Sequence, residues 1–235
     1  MKTTRQLLAA AAMLAAASCS FAQMMPVPQN VVQLTADGSV DVQQDWLTLS
    51  MNSIKEAPDA ATVQTQLKQA LDVALNEAKK AAAPGQMDVR TGSFSLYPRY
   101  ARDGKISSWQ GTAELILEGR DFARISTTAG KIQTLTMGNV VFGLSKEQRA
   151  KIEGQAQAIA IESFKVKAGE VARSFGFTGY TLREVSINAN DQGSPMPRPR
   201  MMAMEAKSAS ADAAVPVEAG KSTVQVTVSG QVQLK

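Results

Sequence analysis

From residue 31 onward, apolar positions fall into alternating and helical runs that succeed one another in a regular order. Residues 31 to 51 predict two strands, with Asp37-Gly38 as a turn signal between them. In the second, Leu47, Leu49 and Met51 alternate with Trp46, Thr48 and Ser50. Pro58-Asp59 opens a helix. Val63, Leu67, Ala70, Leu71, Ala74, Leu75 and Ala78 keep helical spacing on it until Pro84-Gly85 stops it. Residues 87 to 97 and 106 to 117 predict the next strand pair, with Arg102-Asp103-Gly104-Lys105 as the hairpin tip. Trp109, Gly111, Ala113, Leu115 and Leu117 share one face of the second strand.

Asp121 caps a second helix carrying Phe122, Ile125, Ala129 and Ile132 at helical spacing. Gly138-Asn139 leads into a short strand over 140 to 144. Ser145 and Gln148 then form a capping box for a long helix. Its periodic positions are Ile152, Ala156, Ile159, Ala160, Phe164, Ala168, Val171 and Phe175, and Gly176 supplies the stop. A strand follows over 181 to 189. Residues 190 to 221, rich in Pro, Met, Ala, Ser and Gly, have no period and predict a long exposed loop. In the last strand, Val224, Val226, Val228, Val232 and Leu234 alternate with polar residues. The order ββ-α-ββ-α-β-α-β-loop-β predicts an α+β fold with antiparallel sheets. The long insertion ahead of the final strand suggests that this strand returns to pair with an early one.

The first 22 residues change the setting. Lys2 and Arg5, the apolar stretch from 7 to 17, and the small residues of Ser20-Phe21-Ala22 form the three parts of a secretory signal, with cleavage after Ala22. The competing reading is a lipoprotein signal in which Cys19 is acylated. It fits less well, because such signals usually carry leucine where Ala16 sits. Removal of the leader takes two basic residues and no acidic one. The mature chain then has 23 basic and 21 acidic residues, a net charge of +2, which is no footprint for nucleic acid. No later apolar run reaches membrane-spanning length. The single cysteine, Cys19, leaves with the leader, so disulfides cannot stabilise the mature chain.

The chain contains no histidine. Ser-His-Asp and Cys-His relays are therefore excluded, and most transition-metal sites lose their usual ligands. Asp37, Asp41 and Asp45 lack the ligand order of a calcium loop, and no phosphate-binding glycine pattern occurs. Two groups of residues remain. Met196, Met201, Met202 and Met204 cluster in the late loop, where thioethers could meet oxidants or bind Cu(I). Incidental methionine in a flexible loop is the plainer account. Arg198 and Arg200 beside them form a small basic segment that could contact anionic lipid or a partner protein, with a solvated loop as the plainer reading. Tyr97, Arg99, Tyr100 and Arg102 place aromatics and cations at one hairpin end, a composition enriched at interfaces, with strand-end packing as the alternative.

One stretch is more specific than these patterns: Arg90-Thr91-Gly92-Ser93-Phe94-Ser95-Leu96-Tyr97-Pro98-Arg99-Tyr100. Together with residues 34 to 40, Trp46-Leu47-Thr48-Leu49, Ser108-Trp109-Gln110-Gly111 and the Pro/Met-rich segment before a Val-rich strand, it resembles the SIMPL-domain family of bacterial envelope proteins. The resemblance spans residues 23 to 235. It departs at Gln44-Asp45, where the family often has Pro and Asp, and at Lys165-Val166-Lys167, where alanines are more usual.

The resemblance implies two small interleaved α+β domains, ring-like or hollow homo-oligomers in some members, and no catalytic residues or cofactor. The expected function is that of a non-enzymatic periplasmic protein acting through surfaces, oligomeric assembly and an unidentified envelope partner. A role in envelope or oxidative stress tolerance follows from the resemblance alone. The alternative is a small-molecule or Cu(I) binder using the methionine loop or an oligomer cavity. A Ser-Lys hydrolase finds no Ser-x-x-Lys motif in a supporting context. Long strands at 87 to 117 and 222 to 234 are expected to leave edges that assembly would cover.

Overall fold

The computed structural model describes residues 29–190 and 218–235. The expected signal over residues 1–22 lies outside them, as does most of the expected loop over 190 to 221. The elements are β1 (Val31–Gln43), β2 (Trp46–Ala57), α1 (Ala60–Ala81), β3 (Asp88–Tyr100), β4 (Ile106–Gly119), α2 (Phe122–Lys131), β5 (Thr136–Gly143), α3 (Lys146–Ser174), β6 (Tyr180–Asn190) and β7 (Lys221–Leu234). This is the α+β order that the sequence predicts.

Each helix starts where its cap residue dictates. Asp59 accepts from the Thr62 amide at 2.8 Å, Asp121 from the Arg124 amide at 3.0 Å, and Ser145 from the Gln148 amide at 3.2 Å. Those amide hydrogen bonds, more than any other contact, hold the Asp59 and Asp121 carboxyls below their ordinary pKa. Both caps are therefore in place at neutral pH and are lost as the pH falls through that lowered range.

The strands form two antiparallel sheets. One has the order β1-β7-β6, the other β3-β4-β2-β5. The final strand does return to an early one: β7 pairs with β1 from Val31↔Gln233 to Gln43↔Lys221. Each sheet has its own core. Leu47, Leu49, Met51, Ala113, Leu115 and Leu117 pack under α1 and α2 with Val63, Leu67 and Ile125. Leu34, Val226, Val228 and Val232 pack under α3 with Ala156, Ala160, Phe164 and Ala168. Each fully buried leucine or valine is worth roughly 1.5–3 kcal/mol over exposure.

Several boundaries differ from the sequence pattern. Asp37-Gly38 is not a turn, because β1 runs straight through it. The break comes instead at Gln44-Asp45, after which the chain enters the second sheet. β5 starts at Thr136, ahead of the expected Val140, because Thr136 and Met137 pair with Asn52 and Met51 beyond an irregularity where the Asn139 amide donates to Ser50 Oγ at 2.9 Å. Ile159 on α3 and Phe175 at its C-cap are exposed. The buried stripe is Ile152, Ala156, Ala160, Phe164, Ala168 and Ala172, a repeat of four dominated by alanine.

That stripe explains Gly38. A Cβ at Gly38 would lie 2.2 Å from the Ala156 carbonyl oxygen and 2.5 Å from the Ala160 amide nitrogen. The strand and helix backbones approach so closely that a methyl group on the strand side has no room. Gly38 does not have the positive φ of Gly85, Gly104 and Gly176, so its role is space and not turn geometry. Gly38→Ala should therefore lower stability by about 2 kcal/mol or more in urea unfolding, as overpacking does. A neutral Gly38→Ala would contradict the close approach.

Candidate interaction surfaces and the polar joint between the sheets

The chain passes from the first sheet to the second at Gln44-Asp45 and returns at Leu144-Ser145. The two crossings are bonded to each other. The Asp45 amide donates to the Gly143 carbonyl at 3.1 Å. Asp45 Oδ1 accepts from the Ser145 amide at 2.7 Å, and Oδ2 accepts from Ser145 Oγ at 2.6 Å. Arg120, just beyond β4, reaches the same place. Its Nη2 donates to Ser145 Oγ at 2.9 Å and also contacts Glu147, while its Nε lies 3.6 Å from Asp45 Oδ2. Gln44 anchors the other side, donating to Ser222 Oγ at 3.0 Å and accepting from the Gly220 amide at 3.1 Å.

The chemistry of this joint is structural. A serine hydroxyl has one proton and two lone pairs. Ser145, which is buried, gives its proton to Asp45 and accepts from Arg120 and the Gln148 amide. No lone pair is left for a nucleophile's attack. Sequence reasoning found Ser145 as a cap but missed its partner. The available signal was the polar run Gln43-Gln44-Asp45, which interrupts two alternating patterns.

The hairpin residues come together only in part. Opposed residues in an antiparallel pair point to the same face. Tyr97 and Arg99 lie opposite Gln110 and Ser108, on the sheet face away from α1, and Arg99 Nη1 donates to Gln110 Oε1 at 3.2 Å. Tyr100, an odd number of residues on from Tyr97, alternates to the opposite face and pairs with Ile106 beyond an extra residue, Ser107, in β4. Tyr97 is 44% exposed and Tyr100 65%. Arg102 lies in the turn between the strands. The hairpin end thus offers one aromatic to each side. Farther along the same pair, a second irregularity at Thr91/Phe94 is held by Glu114, which accepts from the Ser93 amide at 3.0 Å. Met196, Met201, Met202 and Met204 lie outside the described residues, as do Arg198 and Arg200.

The expectation about edges holds for β3 and needs correction for β4 and β7. β7 is the central strand of its sheet, paired on both sides, and β4 is likewise internal. The edges are β1 and β6 in one sheet and β3 and β5 in the other. Val73, Glu77, Lys80, Lys131 and Thr134 line an open groove of about 400 Å³ beside α1. Its Glu77 carboxyl is held below the ordinary value by the hydrogen bond from Lys80. Among the described residues, no helix is long and apolar enough to cross a membrane, and no cluster of acidic side chains could hold a metal ion.

A family model described as SIMPL, a protein of unknown function (DUF541), matches residues 32–232, a span that runs from β1 into β7. The chain belongs to the SIMPL family. Two relatives, each described as a 26 kDa periplasmic immunogenic protein, come from Brucella melitensis and Brucella abortus. Each is 23% identical over 226 residues, covering 91% of this chain and 88% of the relative. Among solved structures, one described as AtUAH in complex with glyoxylate is 16% identical. It overlaps 55% of this chain and 34% of its own with a TM-score of 0.25, an overlap too slight to carry any argument.

In this SIMPL chain the joint should behave as one unit. Asp45→Ala leaves the Ser145 amide and the Arg120 guanidinium short of a partner, at a cost of about 1–3 kcal/mol. Ser145→Ala removes the helix cap as well, at about 1–2 kcal/mol. The two losses should fail to add by about 0.5 kcal/mol or more in a double-mutant cycle followed by urea unfolding. Strict additivity would show that the crossings are held independently.

Proposed function

We propose that this chain is a non-enzymatic periplasmic protein that works through its surfaces and by assembling with copies of itself. The periplasmic location draws on the name of the Brucella relatives and on the export pattern of residues 1 to 22. The non-enzymatic reading draws on the absence of histidine from the sequence and on Ser145, whose hydroxyl is spent as a cap. A part in envelope or oxidative stress tolerance rests on the family resemblance.

One observation supports assembly most strongly. Large apolar side chains stand exposed at strand ends and edges, and near the tip of the β3–β4 hairpin Tyr97 stands exposed on one face and Tyr100 on the other, with Ile106 opposite Tyr100. Aromatic and arginine side chains supply much of the energy at protein interfaces. The mature chain, from Gln23, should sediment as an oligomer at micromolar concentration. Tyr97→Ser with Tyr100→Ser should weaken that assembly while leaving the urea midpoint of the subunit nearly unchanged. A clean monomer at micromolar concentration would end the assembly reading and return the hairpin to strand-end packing.

A further inference from the structure

The edge strand β6 carries a row of apolar side chains that nothing in its own sheet covers. Leu182, Val185 and Ile187 lie opposite Val232, Gly230 and Val228 of β7, all three of which are buried. They therefore face the same side as the core beneath α3. That helix packs chiefly over β1 and β7, with Gly38 under Ala156 and Ala160 and with Phe164 over Gly230. β6 lies beyond it. Leu182 is 56% exposed, and Val185 and Ile187 are each 43% exposed. Among the described residues, no strand lies beside the outer backbone groups of β6. An edge of this kind is a ready template for another strand.

The irregularity in β6 determines which strand fits. Leu182 pairs with Val232 and Glu184 with Gln231, so Arg183 is an extra residue in the ladder. The bulge is held from beneath, since a side chain at Gly230 would collide with the Glu184 carbonyl oxygen at 2.4 Å. From Tyr180 to Ile187 the side chains therefore run in, out, in, out, out, in, out, in. This pattern reads the same in both directions about the Arg183–Glu184 peptide. Antiparallel strands must match inward with inward residues. Over these eight positions, this is the one centre about which β6 matches a second copy of itself.

We propose that β6 is a two-fold interface that pairs with β6 of a second copy about the Arg183–Glu184 peptide. The register sets Leu182 opposite Val185 and Tyr180 opposite Ile187 of the second copy. It sets Thr181 opposite Ser186, and Arg183 opposite Glu184 twice, once on each side of the axis. Apolar side chains meet apolar, hydroxyls meet hydroxyls, and both charged pairs are of opposite sign. The result is a continuous six-stranded sheet, β1-β7-β6-β6-β7-β1, with both α3 helices on one face. Such a contact is isologous and closes after one pairing, so it removes both edges without propagating into a fibre.

The proposal rests on the reading that the protein self-associates, and the test separates the two. Sedimentation of the mature chain at low salt would be compared among wild type, Arg183→Glu, Glu184→Arg and the double exchange. Each single reversal sets two like charges face to face and should weaken dimerisation about tenfold or more. The double exchange restores opposite charges and should recover it. A chain carrying Leu182→Cys and Val185→Cys, otherwise free of cysteine, should form a covalent dimer on oxidation, whatever the charge variants do to folding. Self-association indifferent to both reversals, or an oxidised Cys variant that stays monomeric, would overturn the β6 contact and leave assembly through other surfaces standing. That result would also be expected if β6 accepts a strand from a different protein. A wild type that never associates would overturn both readings.

Discussion

The Asp45 carboxylate holds together two segments separated by a hundred positions in sequence. Its two oxygens bind the Ser145 amide and hydroxyl where the chain leaves one sheet and where it comes back. Everything between, from Trp46 to Gly143, forms the four-stranded sheet with its two helices. These two end residues are themselves paired across β2 and β5. Outside that span, the described strands and helix are the three-stranded sheet and α3. The molecule is therefore one small unit inserted into another through a pair of adjacent chain crossings. Such an insertion is tolerated when the inserted unit's ends lie close together. Charge-assisted hydrogen bonds suit this position, because they fix geometry at a place too small for a hydrophobic core.

The two units solve their packing differently. In the four-stranded unit, leucine and methionine from the sheet meet valine and leucine from α1 in ordinary side-chain interdigitation. In the three-stranded unit, α3 presents alanines every four residues and comes down almost onto the β1 backbone at Gly38. The narrow helix footprint has a structural consequence. A helix seated that close over β1 and β7 leaves the third strand, β6, with an apolar face and little to cover it. The exposed edge is thus a by-product of the close seat.

Much of this fold was legible in the sequence. The alternation in β4 and β7, the caps at Asp59, Asp121 and Ser145, and the return of the last strand to an early one all followed from local pattern. What misled was Asp37-Gly38, whose turn chemistry is real in isolation. There, close packing against α3 prevailed, and Thr227 Oγ1 donates to Asp37 at 2.6 Å across a continuous strand pair. Ile159 and Phe175 misled for a related reason. A period of 3.6 predicts a broad apolar face, whereas the observed contact follows a strict repeat of four and leaves both residues outside it. The joint at Asp45 could not be read locally, because its partner lies a hundred positions away. The β3–β4 hairpin end was located correctly, and the odd spacing of Tyr97 and Tyr100 divides them between two faces, but the extra residue at Ser107 in β4 had no local signal.

The inserted unit, with its own core and paired ends, should be complete in itself. The most direct measurement is urea unfolding of residues 46–143 expressed alone, followed by near-ultraviolet circular dichroism of Trp46 and Trp109. A unit with its own core and paired ends should unfold in a single cooperative transition from a state with fixed aromatic surroundings. A fragment without near-ultraviolet signal and without a cooperative transition would show that the two sheets share one stability and that the Asp45 joint does not divide the chain into units.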